Sequence, residues 1–404
     1  MHVFTLLRPR FALLATAASL LVGCGGGGST SSSRTSSDPG TLRVALTDAP
    51  ACGYDEVNVT VQKVRVHRSS TAGDGDSGWS EVVLNPARKV NLLDLTNGVL
   101  EELGQTELPA GTYTQLRLQL ASNAGATPPA NSLVLTGGDG SEIPLDTPSA
   151  QQSGLKMNVN LTVQPNELAD VVLDFDACKS VVKRGNSGRY NLKPVVSVLP
   201  RVRLDGLVAE GYVAPAIALG TTSVSLQQDG VPVRSTVPAA DGRFVLYPVP
   251  AGNYDLVVSA EGRVTAVMTG VPISEGSRTF ATPAGTTIDP PAGTPRAATG
   301  VVSISGSTTV PLATVRATQA VSTTRVERTS APADADTGGY VLPLVTGSPV
   351  FTAYNAAAIT LAFTADDGQA GKFRLEAASE GKATVQTEID VTAADVDTPL
   401  VFAP

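Results

Sequence analysis

The chain has 404 residues, too many for one ordinary domain, so two or three domains are expected. Hydrophobic residues make up 42% and charged ones only 16%, which excludes wholesale disorder and leaves enough apolar side chains for packed cores. The 37 acidic residues outnumber the 29 basic ones and no basic cluster is visible, which argues against nucleic acid or anionic lipid headgroups as partners. Gly, Pro, Thr, Val and Ser dominate, and long Glu/Lys/Leu runs of helical period are missing. The expected fold class is therefore all-β, with tandem β-sandwich domains.

Residues 1–23 read as a signal peptide. His2, Arg8 and Arg10 make a polar, basic start, and the apolar stretch from Phe11 to Val22 is too short to span a bilayer, which takes roughly 20 residues. Leu21-Val22-Gly23-Cys24 resembles the lipobox of bacterial lipoproteins. That resemblance implies cleavage before Cys24, a diacylglycerol on its thiol and acylation of the new amine; the other reading is an ordinary signal peptide with a chance cysteine. Two or more acyl chains, at about 0.8 kcal/mol per buried methylene, would hold the protein on a membrane without a spanning helix. Gly25 stands where an aspartate would favour inner-membrane retention, so the resemblance implies the outer membrane, with either leaflet open. Residues 24–40, rich in Gly and Ser, read as a random-coil tether. No strand precedes these glycines and no Gly-Lys-Ser/Thr follows, so they are not a phosphate loop.

The first domain is expected over residues 41–201. Leu42 to Pro50 is an alternating strand ending in a turn. Val57, Val59 and Val61 alternate with polar residues, then the apolar phase slips to Val64 and Val66, which predicts a β-bulge near Gln62–Lys63. Alternation recurs at Leu116, Leu118 and Leu120, from Leu155 to Val163, and at Val171, Leu173 and Phe175, which predicts half-buried strands. Val90 to Leu103 is the one helix candidate. Cys52 and Cys178 both fall in this domain; in an oxidising compartment they would form a disulfide, contributing about 4–5 kcal/mol through a long closed loop, or else remain two buried thiols. Leu46-Thr47-Asp48-Ala49-Pro50, the Val-rich strand to His67, Val90-Asn91-Leu92-Leu93-Asp94-Leu95, and the stretch from Leu108-Pro109-Ala110-Gly111-Thr112-Tyr113 to Arg117 resemble a bacterial family known as domain of unknown function 4382. Its members follow a lipobox and a tether, and it carries no assigned activity.

A second domain is expected over residues 202–282. Asp241-Gly242-Arg243-Phe244 is read as a hairpin turn with an inward aromatic, and Pro250-Ala251-Gly252-Asn253-Tyr254 as a turn that starts a core strand. These two motifs resemble the carboxypeptidase regulatory-like domain, a transthyretin-like β-sandwich, and imply nothing about a ligand. Residues 283–295 read as a linker. Residues 296–404 read as a divergent repeat, with Asp336 to Leu342 parallel to Asp241 to Leu246 and Phe373 to Gly381 parallel to Tyr254 to Gly262. The segment between these anchors is longer in the third domain.

Candidate chemistry is sparse. Beyond the signal peptide the only histidine is His67, and no Gly-x-Ser-x-Gly elbow accompanies it, so a hydrolase triad and a zinc site are both poorly supplied. Asp74 and Asp76 sit in a Gly-rich loop with oxygen ligands that suit calcium but without EF-hand spacing. That loop is the one cofactor candidate. Asp174 and Asp176 lie about 7 Å apart on one strand face, a spacing any β-protein offers by chance. Trp79 is the one tryptophan and the candidate aromatic platform for a saccharide, against packing at a hairpin. The expectation is a non-enzymatic, lipid-anchored outer-membrane protein with a structural, adhesive or ligand-presenting role. Its partners would be the membrane through Cys24, and a polysaccharide or another envelope protein. The alternatives are a carbohydrate-binding surface lipoprotein and an envelope hydrolase.

Overall fold

The structure is a computed structural model that describes residues 38–48, 53–147, 153–201, 207–217 and 219–404. The chain divides into two units, 1–36 and 37–404, and the described residues all belong to the second. It is all-β, and its sheets pair off into three sandwiches with one apolar core each.

The first sandwich contains β1 (Gly40–Asp48), β2 (Tyr54–His67), β3 (Ser80–Asn91), β4 (Glu101–Leu108), β5 (Gly111–Leu120) and β6 (Ser132–Leu135). It continues with β7 (Ile143–Asp146), β8 (Leu155–Val163), β9 (Leu168–Phe175), β10 (Val181–Arg184), β11 (Arg189–Leu192) and β12 (Val196–Pro200). The second contains β13 (Val208–Tyr212), β14 (Ser223–Gln228), β15 (Val231–Thr236), β16 (Arg243–Leu246), β17 (Gly252–Ser259), β18 (Ala266–Ile273) and β19 (Arg278–Phe280). The last stretch supplies β20 (Pro295–Ile304), β21 (Ala313–Val321), β22 (Thr324–Pro332), β23 (Gly339–Val345), β24 (Val350–Ala353) and β25 (Thr364–Ala365), then β26 (Lys372–Ser379), β27 (Val385–Asp390), β28 (Val396–Asp397) and β29 (Leu400–Phe402).

One pairing scheme runs through all three. The first strand pairs antiparallel with the fourth and parallel with the last: β1 with β4 and β9, β13 with β16 and β19, β20 with β23 and with β28 and β29. The second strand lies between the third and the fifth: β2 between β3 and β5, β14 between β15 and β17, β21 between β22 and β26. The fifth then pairs with the sixth, as β5 with β8, β17 with β18 and β26 with β27. The chain is thus three copies of one sandwich topology. The first copy adds β6 and β7 between its fifth and sixth strands, and β10 to β12 after its last.

A sequence fingerprint marks the fifth strand of each copy. Pro109-Ala110-Gly111-Thr112-Tyr113 opens β5 and Pro250-Ala251-Gly252-Asn253-Tyr254 opens β17. In both, the buried tyrosine turns its hydroxyl back to donate to the proline carbonyl four residues earlier, at 2.8 Å. This is a tyrosine corner, which fixes the entry angle of a core strand. In β26 the same place is held by Gly371-Lys372-Phe373, with Phe373 fully buried and no hydroxyl to spend.

The predicted bulge lies in β2, where the register with both β3 and β5 shifts between Val61 and Lys63. The helix candidate from Val90 to Leu103 is not a helix. It breaks into the end of β3, a single 3-10 turn at Leu92–Leu95 capped by Asn91, and the start of β4. Leu92 and Leu95 do enter the core, but Asn97 and Gly98, both at positive φ, stop the turn from propagating. The Asp241-Gly242 turn does not close a hairpin either. It carries the chain from β15, in one sheet, to β16, in the other. Gly242 has φ +87°, and a Cβ there would stand 2.1 Å from the carbonyl oxygen of Val213. Gly338 repeats this in the third copy, with φ +71° and the Val302 carbonyl at 2.3 Å.

The stretch between the third copy's anchors has a defined role. β24 leaves the third sandwich and pairs parallel with β18, so β24 and β25 extend the second sandwich's sheet. Val350 lies in that sandwich's core, with Tyr354, Leu361 and Phe363 packed on it. Residues 283–295 also pack rather than dangle: Ile288 is buried and bridges to Val213, and Ala292 bridges to Arg263.

Candidate functional site

The predicted loop of the first sandwich forms one compact cluster. Arg65 and Arg117 are direct cross-strand partners on β2 and β5. Their guanidinium carbons lie 4.5 and 4.8 Å from the centre of the Trp79 ring, a cation–π arrangement. His67 leans on the same indole at 5.0 Å, and the indole N–H donates to Gly73 O at 2.9 Å. Asp74 pairs with Arg65 and lies 3.7 Å from Arg117, while Asp76 accepts from the Gly73 N–H at 2.9 Å. The indole is therefore half-buried under its own arginines, and the Asp74 carboxylate is neutralised by the same pair. His67 accepts from the Ser69 N–H at 2.9 Å and sits 3.0 Å from Ser77 O, holding the loop to the strand. Among the described residues no three His, Cys, Asp or Glu side chains converge in a metal-binding group.

Asp174 and Asp176 separate into two structural roles. Asp176 caps the one-turn helix Ala177–Ser180, accepting from the Lys179 N–H at 2.9 Å, and pairs with Lys179 Nζ at 3.2 Å. Asp174 is buried by the second sandwich: Arg234, from β15, reaches across to pair with it and donates to Thr47 Oγ1 at 2.9 Å. Burial pushes the Asp174 carboxyl above the usual range and Arg234 works against it.

Such crossings recur at every junction. Asn97 of the first sandwich accepts from the Val245 N–H at 2.5 Å and donates through its own N–H to Thr236 Oγ1 at 2.6 Å. The Gln227 side chain mimics a strand partner for Glu327, accepting from its N–H at 2.8 Å and donating to its carbonyl at 2.7 Å. Val257 and Val267 of the second sandwich form a separate small core with Val321 and Val326 of the third. Full burial of each such side chain contributes about 1.5–3 kcal/mol. The first and third meet where Ala335 N–H donates to Lys183 O at 2.9 Å and Gly185 N–H to Asp334 Oδ2 at 2.7 Å. Nothing in the sequence marked Asn97, Arg234, Gln227 or Glu327, because each partner lies a sandwich away.

Cys24 and Cys52 lie outside the described residues. Cys178 sits in the one-turn helix directly after β9. The strand before Cys52, β1, runs parallel to β9 with Asp48 opposite Phe175, and Asp48 accepts from the Ala177 N–H at 3.0 Å. No helix of the described residues is long and apolar enough to cross a membrane.

No match stands out among curated proteins. Solved structures with some likeness include a type II cohesin–X–dockerin complex from Acetivibrio cellulolyticus (20% identity, 22% of this chain and 59% of that one, TM-score 0.19). The Bacillus anthracis TIE protein is 11% identical over 90% of this chain and 51% of its own, at TM-score 0.19. The shaft pilin SpaA of Lactobacillus rhamnosus GG is 10% identical over 50% of this chain and 98% of its own, at TM-score 0.18. The chain thus spans 59% and 51% of the length of the first two. In the first sandwich, residues 39–194 match the family described as Domain of unknown function (DUF4382).

Proposed function

We propose that this chain is a non-catalytic lipoprotein of the outer membrane, in which three fused sandwiches form a stiff structural or presenting element tethered through lipid on Cys24. The observation that carries this reading is the fusion itself. Inter-domain contacts in a chain usually resemble transient interfaces and allow relative motion. Here a strand from the third stretch completes the second sandwich's sheet, and buried polar clamps join the first to the second. The side chains with chemical potential are spent on structure: His67 on its loop, Asp74 on two arginines, Asp174 on Arg234. Cys24 and the tether supply the anchor in this reading, and the repeated topology with its turn motifs supports a carboxypeptidase regulatory-like type for the second and third sandwiches. We also assign a Cys52–Cys178 disulfide, supported by the parallel pairing of β1 and β9, with Cys178 just after β9 and Cys52 four residues along the sequence from the end of β1.

The test is metabolic labelling with a fatty acid and membrane fractionation of the full chain. The expected result is label on the protein and recovery with outer membranes, both lost in Cys24→Ala. Equal labelling or unchanged membrane recovery of that variant would refute the anchor.

A further inference from the structure

The three sandwiches meet around a cavity of about 390 Å³, within the size range of small-molecule sites. The first sandwich contributes Lys179, whose charge is met by Asp176 at 3.2 Å and Glu327 at 3.5 Å. Two other cations of the wall differ from it. Among the described residues Arg296 donates only to backbone carbonyls, those of Pro295, Val391 and Ala393. Arg328 is 8% exposed and spends three N–H groups on Thr265 Oγ1, Ala260 O and Arg263 O. Its Nε–H is buried with no acceptor. Among the described residues neither arginine has a carboxylate within ion-pair distance, and burial pushes the Arg328 pKa down to about 10. A guanidinium offers five donors, and a buried charge is normally met by an opposite one. Ser223, Ser259 and Thr329 add hydroxyls to the same wall.

We propose that this cavity binds a small anion carried on a hydroxyl-bearing frame, a sugar acid or a sugar phosphate, with Arg328 and Arg296 supplying the counter-charge and the serine and threonine hydroxyls reading the frame. The site exists only because the sandwiches are fused, since its wall draws on all three. It is independent of the lipid anchor and of the Trp79 loop.

The test is calorimetric titration of the full chain in detergent with glucuronate, glucose 6-phosphate and glucose. The expected result is saturable binding of at least one charged probe with Kd below about 1 mM, and glucose at least about tenfold weaker. Which charged probe binds tighter separates a carboxylate site from a phosphate site. Arg328→Gln and Arg296→Gln are each expected to weaken binding about tenfold or more. Should Arg328→Gln fail to fold, Arg296→Gln decides, because that side chain is half-exposed and its hydrogen bonds among the described residues all go to backbone carbonyls. Failure of both charged probes to bind, equal binding of glucose, or unchanged binding by folded Arg296→Gln would overturn the proposal.

Discussion

Replacing Arg234 by Met tests the fusion of the first two sandwiches at one atom pair. The unbranched Met keeps most of the buried stem but removes the guanidinium, and with it the Asp174 ion pair and the 2.9 Å bond to Thr47. Asp174 then stays buried with its counter-charge gone. Breaking a buried pair from one side costs about 3–5 kcal/mol, because the remaining charge loses compensation. At a urea slope of about 2–3 kcal/mol/M this lowers the unfolding midpoint by about 1–2.5 M. The probe is built in: Trp79 is the only tryptophan and sits in the first sandwich, whereas the substitution is in the second. A fused body must pass the loss to the Trp79 fluorescence transition. The penalty also depends on pH. Asp174 already sits above the usual carboxylate range through burial, and losing Arg234 removes its main lowering influence. A folded-state pKa above the unfolded value of about 3.9 means that the destabilisation is full at pH above the folded pKa and relieved as pH falls through it, when the carboxyl takes a proton. The cost at pH 8 should therefore exceed that at pH 5. A Trp79 transition unmoved by Arg234→Met, with the second sandwich destabilised alone, would refute the fusion; a larger penalty at pH 5 would refute the charge account.

Three further outcomes follow from particular contacts. Tyr113→Phe and Tyr254→Phe each delete one corner hydrogen bond and should cost about 0.5–1.5 kcal/mol in chemical denaturation, with Phe373 of the third sandwich as the natural precedent for tolerance. Gly242→Ala forces a Cβ to within 2.1 Å of the Val213 carbonyl at φ +87°, so it should cost more than the about 1 kcal/mol of an ordinary Gly-to-Ala change at positive φ, read as a lower thermal midpoint. Non-reducing peptide mapping should find Cys52 linked to Cys178, and Cys178→Ser should lower stability by about 4–5 kcal/mol under oxidising conditions; free thiols at both positions in protein from an oxidising compartment would refute the link.

Much of the local structure was legible because it depends on neighbours in the chain. The phase slip between Val61 and Val64 announces its bulge, since a strand's side chains alternate faces and a slip must be absorbed by one extra residue. The helix candidate from Val90 to Leu103 misled for the opposite reason: its leucines have helical spacing, but Asn97-Gly98 and the demand of β4 for a place beside β1 end the turn. Asp174 and Asp176 looked like a pair from the strand rise alone. Their separation was decided by Arg234, 60 residues along the chain. For Trp79 the sequence left an exposed platform and packing at the hairpin both open, because the arginines that cover it come from β2 and β5.

The repeat offers the clearest case of a signal present but dispersed. The two Pro-Ala-Gly-x-Tyr motifs stand in the first and second sandwiches, each at the start of the fifth strand and each with the same hydroxyl-to-carbonyl bond. Taken singly, each is a turn followed by a strand. Taken with the pairing of the first strand to the fourth and last, they mark the first sandwich as the same scaffold as the two that follow, with β6 and β7 inserted. The third copy keeps the scaffold without the tyrosine, so the corner is not what specifies the topology. What all three retain is a small residue two places before a buried aromatic at the head of that strand: Gly111 and Tyr113, Gly252 and Tyr254, Gly371 and Phe373. The aromatic fills the core and the glycine lets the chain turn tightly into it. The hydroxyl then adds an anchor where a proline carbonyl is in reach. On this account Phe373→Ala should unfold the third sandwich, costing about 3–5 kcal/mol. Because β24 belongs to the second sandwich's sheet, that loss should also loosen the second, seen as faster amide exchange along β18. Unchanged exchange in β18 would mean that the shared strand does not couple the two.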